Sequence, residues 1–348
     1  MNPSRSLRSF LKASIVSLGL SALALPVSVH AQNLEKINIG VSNRSLLGLP
    51  ILIAKEKKIF EQEGLDVNID YFAGGTPATA ALLGGSVQYI DAAFENNVKV
   101  VQRGQPVVSI MNLQSDFAGA IIVRKDVAEK LKFPSKLTTQ HLKGLRVGTL
   151  TRGGFADVAT RYIAVEAGLD PEKDLELIPI RGADRQLQAG ESDAIDAAFV
   201  MEPWNVIGVD GSKKWRYLID ITKGEGPSTF QRLGYTTLQT TRQQVQTKRA
   251  TTEKVVRAVA NALKYIRDEK NLDDVAAIAD KEYGGAGKGL MKHSLKRQAN
   301  TFSPALVPDS LKKTGQLLAK SGASKANLPA FEEVADLSFA PFWSGAIK

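Results

Sequence analysis

The 348-residue chain contains no cysteine, which excludes disulfides, thiolate nucleophiles, zinc–cysteine sites and lipid attachment through sulfur. Histidine is almost as scarce: His30, His141 and His293 are the only three. No His/carboxylate cluster has metal-ligand spacing, so neither a metal nor a cofactor is expected. No Gly-x-Ser-x-Gly stretch provides a nucleophile elbow. Basic residues outnumber acidic ones, 45 to 36, but they are scattered among acids without a run of five, which argues against a nucleic-acid partner. The rest of the composition, 43% apolar and 23% charged, is that of an ordinary globular chain and excludes wholesale disorder.

The first segment reads as an address. Residues 1–12 carry Arg5, Arg8 and Lys12 and no acid; Ala13 to Val29 is uncharged and mostly apolar, and Val29-His30-Ala31 offers a small-x-small cleavage site. A spanning helix needs about 20 apolar residues, and this run is broken by Ser17, Ser21 and Pro26. Ser6 to Lys12 resembles a twin-arginine motif lacking one arginine, so general export of an unfolded chain is expected. Cleavage after Ala31 leaves 317 of the 348 residues and removes three basic ones, for a net charge of +6. No later run has 18 consecutive apolar residues, so a soluble mature protein is expected, and an exported cysteine-free chain of this size suits a bacterial periplasm. A mildly basic surface would attract small anions.

Strands and helices then alternate. Short β-rich runs at 37–41, 67–71, 89–93 and 106–113 are separated by helical segments at 49–61, 76–83 and 96–103. The pattern restarts with strands at 145–149, 175–180 and 194–200 and helices at 154–167 and 184–189. Such alternation means parallel sheets covered on both faces. Gly74-Gly75-Thr76 through Phe94 is weakly similar to Gly182-Ala183-Asp184 through Phe199, as two lobes of like architecture would be. Two β-rich links, 118–123 and 234–239, flank the second series and read as crossover strands. The remainder is helical, with an apolar stripe at Val255, Val259, Leu263 and Ile266 and Thr251 or Thr252 as its cap. The expected fold is α/β, with two doubly wound sheets joined by two crossover strands. One lobe comprises 32–120 plus 238–348, the other 121–237, with a ligand cleft between them.

Gly284 to Gly289 is only superficially like a phosphate loop and reads as a helix-to-helix turn; Asp193 and Asp196 read as solvated turn residues. What remains is a set of polar loops at the C-terminal ends of strands, where open sheets place ligands. Gly74-Gly75-Thr76 and Thr151-Arg152-Gly153-Gly154 each run from a strand into a helix. Glycine permits close backbone approach, and a helix start presents unpaired N–H groups and about half a positive charge, which is an anion site. Arg44, Arg152 and Arg181 are candidate clamps for a sulfonate, carboxylate or phosphate. Phe72, Phe94, Phe155 and Trp204 are candidates for an apolar wall.

At these residues the sequence resembles the periplasmic substrate-binding proteins of ABC importers in the sulfonate, taurine and nitrate group, which includes thiamine-pyrimidine binders. The resemblance is carried by Ile51 to Val67, Gly84-Gly85-Ser86-Val87-Gln88-Tyr89, Leu142 to Gly148 and Ala167-Gly168-Leu169-Asp170-Pro171, and runs over about 37–240. Lys58 stands where glycine is usual in that group. The resemblance implies a two-lobed type II binding-protein fold, hinge closure around the ligand, and docking on the transmembrane subunits of a permease driven by a separate ATPase. A monomer with no catalytic residue is expected. Carried over by position, the ligand-binding residues are Asn43, Arg44, Gly74, Gly75, Thr76, Phe94, Glu95, Asn96, Gln114, Thr151, Arg152, Gly153, Gly154, Phe155, Arg181, Met201, Glu202 and Trp204. A sulfonate is the favoured small organic anion, ahead of an aromatic carboxylate, nitrate or a thiamine precursor. An enzyme or a sensor on the same fold stays open as an alternative.

Overall fold

The computed structural model describes residues 33–283, 285–324 and 327–346; the expected signal peptide at 1–31 lies outside them. Among the described residues, ten strands form two five-stranded sheets. The first sheet has the order β2 (Leu65–Tyr71), β1 (Glu35–Val41), β3 (Tyr89–Ala93), β10 (Thr236–Thr241), β4 (Val107–Gln114). The second has the order β7 (Glu176–Pro179), β6 (Arg146–Thr149), β8 (Ala197–Met201), β5 (Gly119–Arg124), β9 (Trp215–Ile219). This is a two-lobed α/β fold.

Both sheets are mixed, where the alternation predicts purely parallel ones. The antiparallel strand in each is the one that arrives from the other half of the chain. β10 runs antiparallel between β3 and β4, and β5 runs antiparallel between β8 and β9. β9 carries no strong β signal beyond Trp215 and Tyr217 and is a strand the sequence reading lacks. The strand expected at 194–200 begins at Ala197 instead, because the Ile195 carbonyl and the Asp196 carboxylate are engaged by Arg124 and Arg146. Asp193 and Asp196 are thus ion-paired turn residues, with Arg146 Nη2 2.8 Å from Asp196 Oδ1.

The helical stripe holds, with Val255, Val259 and Leu263 buried against the first sheet and Ile266 packed at its edge. Its expected threonine cap does not. The helix runs Arg249–Arg267, so Thr251 and Thr252 lie inside its first turn, where Thr252 Oγ1 meets the Tyr89 hydroxyl at 2.8 Å. The helix Pro308–Lys320 places Leu311, Leu317 and Leu318 in one core with Val158 and Tyr162 of the helix Phe155–Glu166. Each such leucine contributes roughly 1.5–3 kcal/mol of burial.

One buried acid shapes the loop that follows β1. Asp91, on β3, accepts the Ser42 backbone N–H, while its other oxygen is buried without a partner. A side chain at Gly48 would put its Cβ 3.0 Å from that oxygen, so the loop folds down onto the carboxyl. Burial raises the Asp91 pKa to about 6, with the Ser42 hydrogen bonds opposing the rise. The folded state therefore holds this proton more tightly than the unfolded chain does. The added stability is full below about pH 4 and is lost as pH rises through about 6. Relative to Asp91→Asn, which has no such proton, the wild-type chain should gain of order 2–3 kcal/mol as pH falls from 7 to 4. Urea unfolding of both proteins across that range checks this; a pH-independent difference between them contradicts the assignment.

Candidate functional site

Three helices begin at one point between the sheets. Gly75–Leu83 follows β2, Phe94–Val101 follows β3 and Phe155–Glu166 follows β6. Their starts line a single cavity of about 30 Å³, through Gly74 and Gly75, Ala93 and Asn96, and Gly154, Phe155 and Ala156. None of the three N-cap residues, Gly74, Ala93 and Gly154, makes a side-chain cap hydrogen bond. The N–H of Phe94 is taken by the Tyr235 carbonyl at 2.8 Å, and Pro77 has none to offer. The N–H groups of Gly75, Thr76, Phe155 and Ala156 have no acceptor among the described residues. The positive ends of three helices thus meet at the cavity.

The glycines are required by space. A Cβ at Gly75 would lie 2.3 Å from Asn96 Nδ2, and one at Gly154 would lie 2.3 Å from Thr151 Oγ1. Gly74, at φ 133° and ψ 166°, occupies backbone that side-chain-bearing residues rarely adopt, and its missing Cβ would be 3.2 Å from Thr151 Cγ2 on the other lobe. The two lobes are therefore in contact here.

Neutral polar and apolar groups complete the lining. Asn43 Oδ1 is buried and unpartnered. Asn96 is 4% exposed, and its carboxamide makes no hydrogen bond among the described residues. Leu150, Phe155, Met201 and the Tyr235 ring form the apolar side. Phe155 and Tyr235 pack with centroids 4.3 Å apart, backed by Phe117 at 5.0 Å from Tyr235. Burial first, then the nearby Glu95 and Asp91 charges, push the Tyr235 pKa far up, so its hydroxyl stays a donor. No lysine, arginine or histidine lines this cavity.

The expected residues separate accordingly. Asn43, Gly74, Gly75, Asn96, Thr151, Gly154, Phe155 and Met201 are brought together at the cavity. Thr76, Arg152 and Gly153 line a second, outer cavity. Arg44 turns away to Glu282, with Nη2 3.3 Å from Oε1, and stacks over Tyr71. Trp204 donates its indole N–H to the Arg44 carbonyl at 2.8 Å, closing the lobes at one edge without entering the cavity. Arg181 is exposed and lines neither cavity. Phe94 is buried in the interlobe core and Phe72 packs over Gly40. Gln114 donates to Gln298 at 2.8 Å, in the first sheet's edge.

The two expected acids are also occupied elsewhere. Glu95 is fully buried under Lys99, whose Nζ sits 3.4 Å from it and 2.6 Å from the Gly153 carbonyl across the cleft. Burial raises the Glu95 pKa, and Lys99 opposes that rise. Glu202 is buried in an ion network: Arg297 Nε donates to it at 2.8 Å, and Arg297 Nη2 donates to Asp220 at 2.7 Å. Ala93, Leu150, Ala156 and Tyr235 were missed by sequence reasoning. Tyr235 had a signal, because it sits in a crossover segment, and such segments border the cleft by construction.

Among the described residues, no group of three or more His, Asp or Glu could hold a metal ion, and no helix is long and apolar enough to cross a membrane. A Bacillus subtilis (strain 168) protein named as a candidate binding protein, YtlA, is 23% identical over 312 residues, covering 88% of this chain and 89% of its own. The alkanesulfonate-binding protein SsuA of Xanthomonas axonopodis pv. citri, solved bound to MOPS, superposes with a TM-score of 0.71 at 16% identity, over 86% of this chain and 98% of that one. The periplasmic nitrate-binding protein NrtA of Synechocystis PCC 6803 gives 0.70 at 14% identity, over 90% and 88%. A desulfurization enzyme, DszB, gives 0.58 at 14% identity over 89% and 99%, so the fold is common to binders and an enzyme. At these identities the solved structures establish the fold alone. The sequence itself matches one family across residues 30–280, well over half its length, and so the chain belongs to the NMT1-like family.

Proposed function

We propose that the chain is the solute-binding protein of an ABC import system, which captures a small organic anion in the periplasm and delivers it to a transmembrane permease. The convergence of three uncapped helix starts on one closed cavity carries this reading. A cavity lined by unpaired N–H donors and no acid selects for negative charge. A sulfonate is the favoured anion: it is ionised throughout the physiological range, and its oxygens can face the unpaired N–H groups at Gly75 and at Phe155 and Ala156 together with the Asn96 carboxamide. Leu150, Phe155, Met201 and Tyr235 then take the organic body. The lining has no carboxylate, lysine or histidine, and Tyr235 is held protonated, so acid–base chemistry has no agent. That favours capture over catalysis. The names of YtlA, SsuA and NrtA as binding proteins point the same way.

In this reading residues 32–120 plus 238–348 form one lobe and 121–237 the other, and the segments near 118–124 and 232–239 act as the hinge. An open form admits the anion; the ligand shifts the population to the closed form, which the permease recognises. Lys99 to the Gly153 carbonyl and Trp204 to the Arg44 carbonyl are contacts that only closure makes.

Titration of the mature chain with propane-1-sulfonate, benzenesulfonate, benzoate and nitrate should find the sulfonates bound most tightly; binding of none of them contradicts the reading. Neither Gly75 nor Gly154 has a positive φ, so alanine brings no left-handed backbone strain, but its Cβ would push aside the Asn96 carboxamide or the Thr151 hydroxyl that lines the site. Gly75→Ala and Gly154→Ala should each weaken sulfonate binding by about tenfold or more while the unfolding midpoint stays within a few degrees. Small-angle scattering should show the wild-type chain compacting when the bound sulfonate is added. An unchanged radius of gyration at saturation argues against hinge closure.

A further inference from the structure

The cleft continues outward from the helix starts. A second cavity of about 640 Å³ shares Asn96 with the inner one and lies between the Gly75–Leu83 and Phe94–Val101 helices and the 152–161 stretch of the other lobe. Asn96, buried and without a hydrogen-bond partner among the described residues, lines both. Four basic side chains reach the outer cavity: Lys99, Arg103, Arg152 and Arg161. Two are satisfied. Lys99 is held by Glu95 and the Gly153 carbonyl, and Arg161 by Asp157, at 3.1 Å, and Glu172. Arg103 and Arg152 make neither an ion pair nor a side-chain hydrogen bond among the described residues. They come from opposite lobes. Two exposed guanidinium groups without a protein partner thus line one cavity from opposite lobes, an arrangement that attracts an anion.

We propose that the outer cavity is a second anion subsite, and that the ligand is a sulfocarboxylate whose sulfonate sits at the helix starts and whose carboxylate sits between Arg103 and Arg152. The proposal rests on the inner cavity being an anion site. Guanidinium is the planar fork that matches a carboxylate, whereas backbone N–H groups suit the more symmetric sulfonate head. The two subsites thus differ in kind as well as in position. A ligand charged at both ends also favours the closed form more than a singly charged one, because only in the closed form do Arg103 and Arg152 share one cavity.

The test compares matched probes on the mature chain by calorimetry: propane-1-sulfonate against 3-sulfopropanoate, and benzenesulfonate against 4-sulfobenzoate. At least one sulfocarboxylate should bind about tenfold or more tightly than its singly charged partner. In the Arg103→Gln/Arg152→Gln double variant that preference should fall to about twofold or less, read as a ratio of affinities within the same protein. Each single variant should lose part of it, which keeps the test available if the double variant folds poorly. Equal affinities in the wild-type chain overturn the outer subsite while leaving the inner one standing. A preference that survives the double variant also overturns it. If none of the four probes binds, the inner site falls and this proposal falls with it.

Discussion

A helix start leaves backbone N–H groups that the helix itself cannot pair, and in an ordinary domain a Ser, Asp or Asn side chain takes one of them. Here three helices start around one cavity, and the residues at their caps are Gly74, Ala93 and Gly154, none able to do so. Buried donors without acceptors are costly. Under the proposed function a bound anion completes those at the cavity. The rest of the site follows from that constraint. Gly75 must lack a side chain so that Asn96 can stand beside it, and Gly154 so that Thr151 can. Asp91 holds the Ser42 backbone so that the loop carrying Asn43 lies over the cavity. The Phe117–Phe155–Tyr235 cluster seals the far side, each aromatic pair contributing about 0.5–1.5 kcal/mol beyond its buried area.

The contacts across the cleft are of a matching kind. Leu46 N–H reaches the Glu202 carbonyl at 3.0 Å, Trp204 the Arg44 carbonyl, and Lys99 the Gly153 carbonyl. Each is a single hydrogen bond to a backbone carbonyl that water can replace when the lobes part, for a net of about 1 kcal/mol apiece. Away from the cleft the same two stretches of chain share firmer contacts, the core of Leu311, Leu317 and Leu318 with Val158 and Tyr162 and the Arg297–Glu202–Asp220 network, so the three carbonyl contacts are the weakest part of the seam.

Much of this was legible in the sequence. The strand–helix alternation gave both lobes, and the likeness of Gly74–Phe94 to Gly182–Phe199 reappears as two helices, each preceded by a glycine at positive φ, followed by strands β3 and β8. The glycine loops were legible because close approach leaves a compositional mark. The arginines were not. An arginine next to such a loop looks the same whether it points into the cleft, as Arg152 does toward the outer cavity, or away to a partner far along the chain, as Arg44 does to Glu282. Sequence distance hides that partner, since the pair spans 238 residues. The network around Glu202 is hidden for the same reason: its partners Ser294 and Arg297 belong to a helix that no local pattern ties to it. Tyr235 and Leu150 carry no motif; the topology alone brings them to the cavity.

The placement of full charges explains why the inner cavity uses backbone instead. Glu202, Asp220 and Arg297 are buried, but Arg297 pairs with both acids, and removing it would strand them at a cost of several kcal/mol. Such a network is suited to a joint that stays assembled. A buried guanidinium inside the inner cavity would behave likewise: it would demand an anion at all times, and an empty open form would carry an uncompensated charge through every cycle. Helix starts present only partial charge, and water can solvate them when the lobes open. In the proposed cycle the inner cavity therefore holds an anion when the lobes close and is solvated when they part, while Arg103 and Arg152, exposed at the mouth, keep their charge in water.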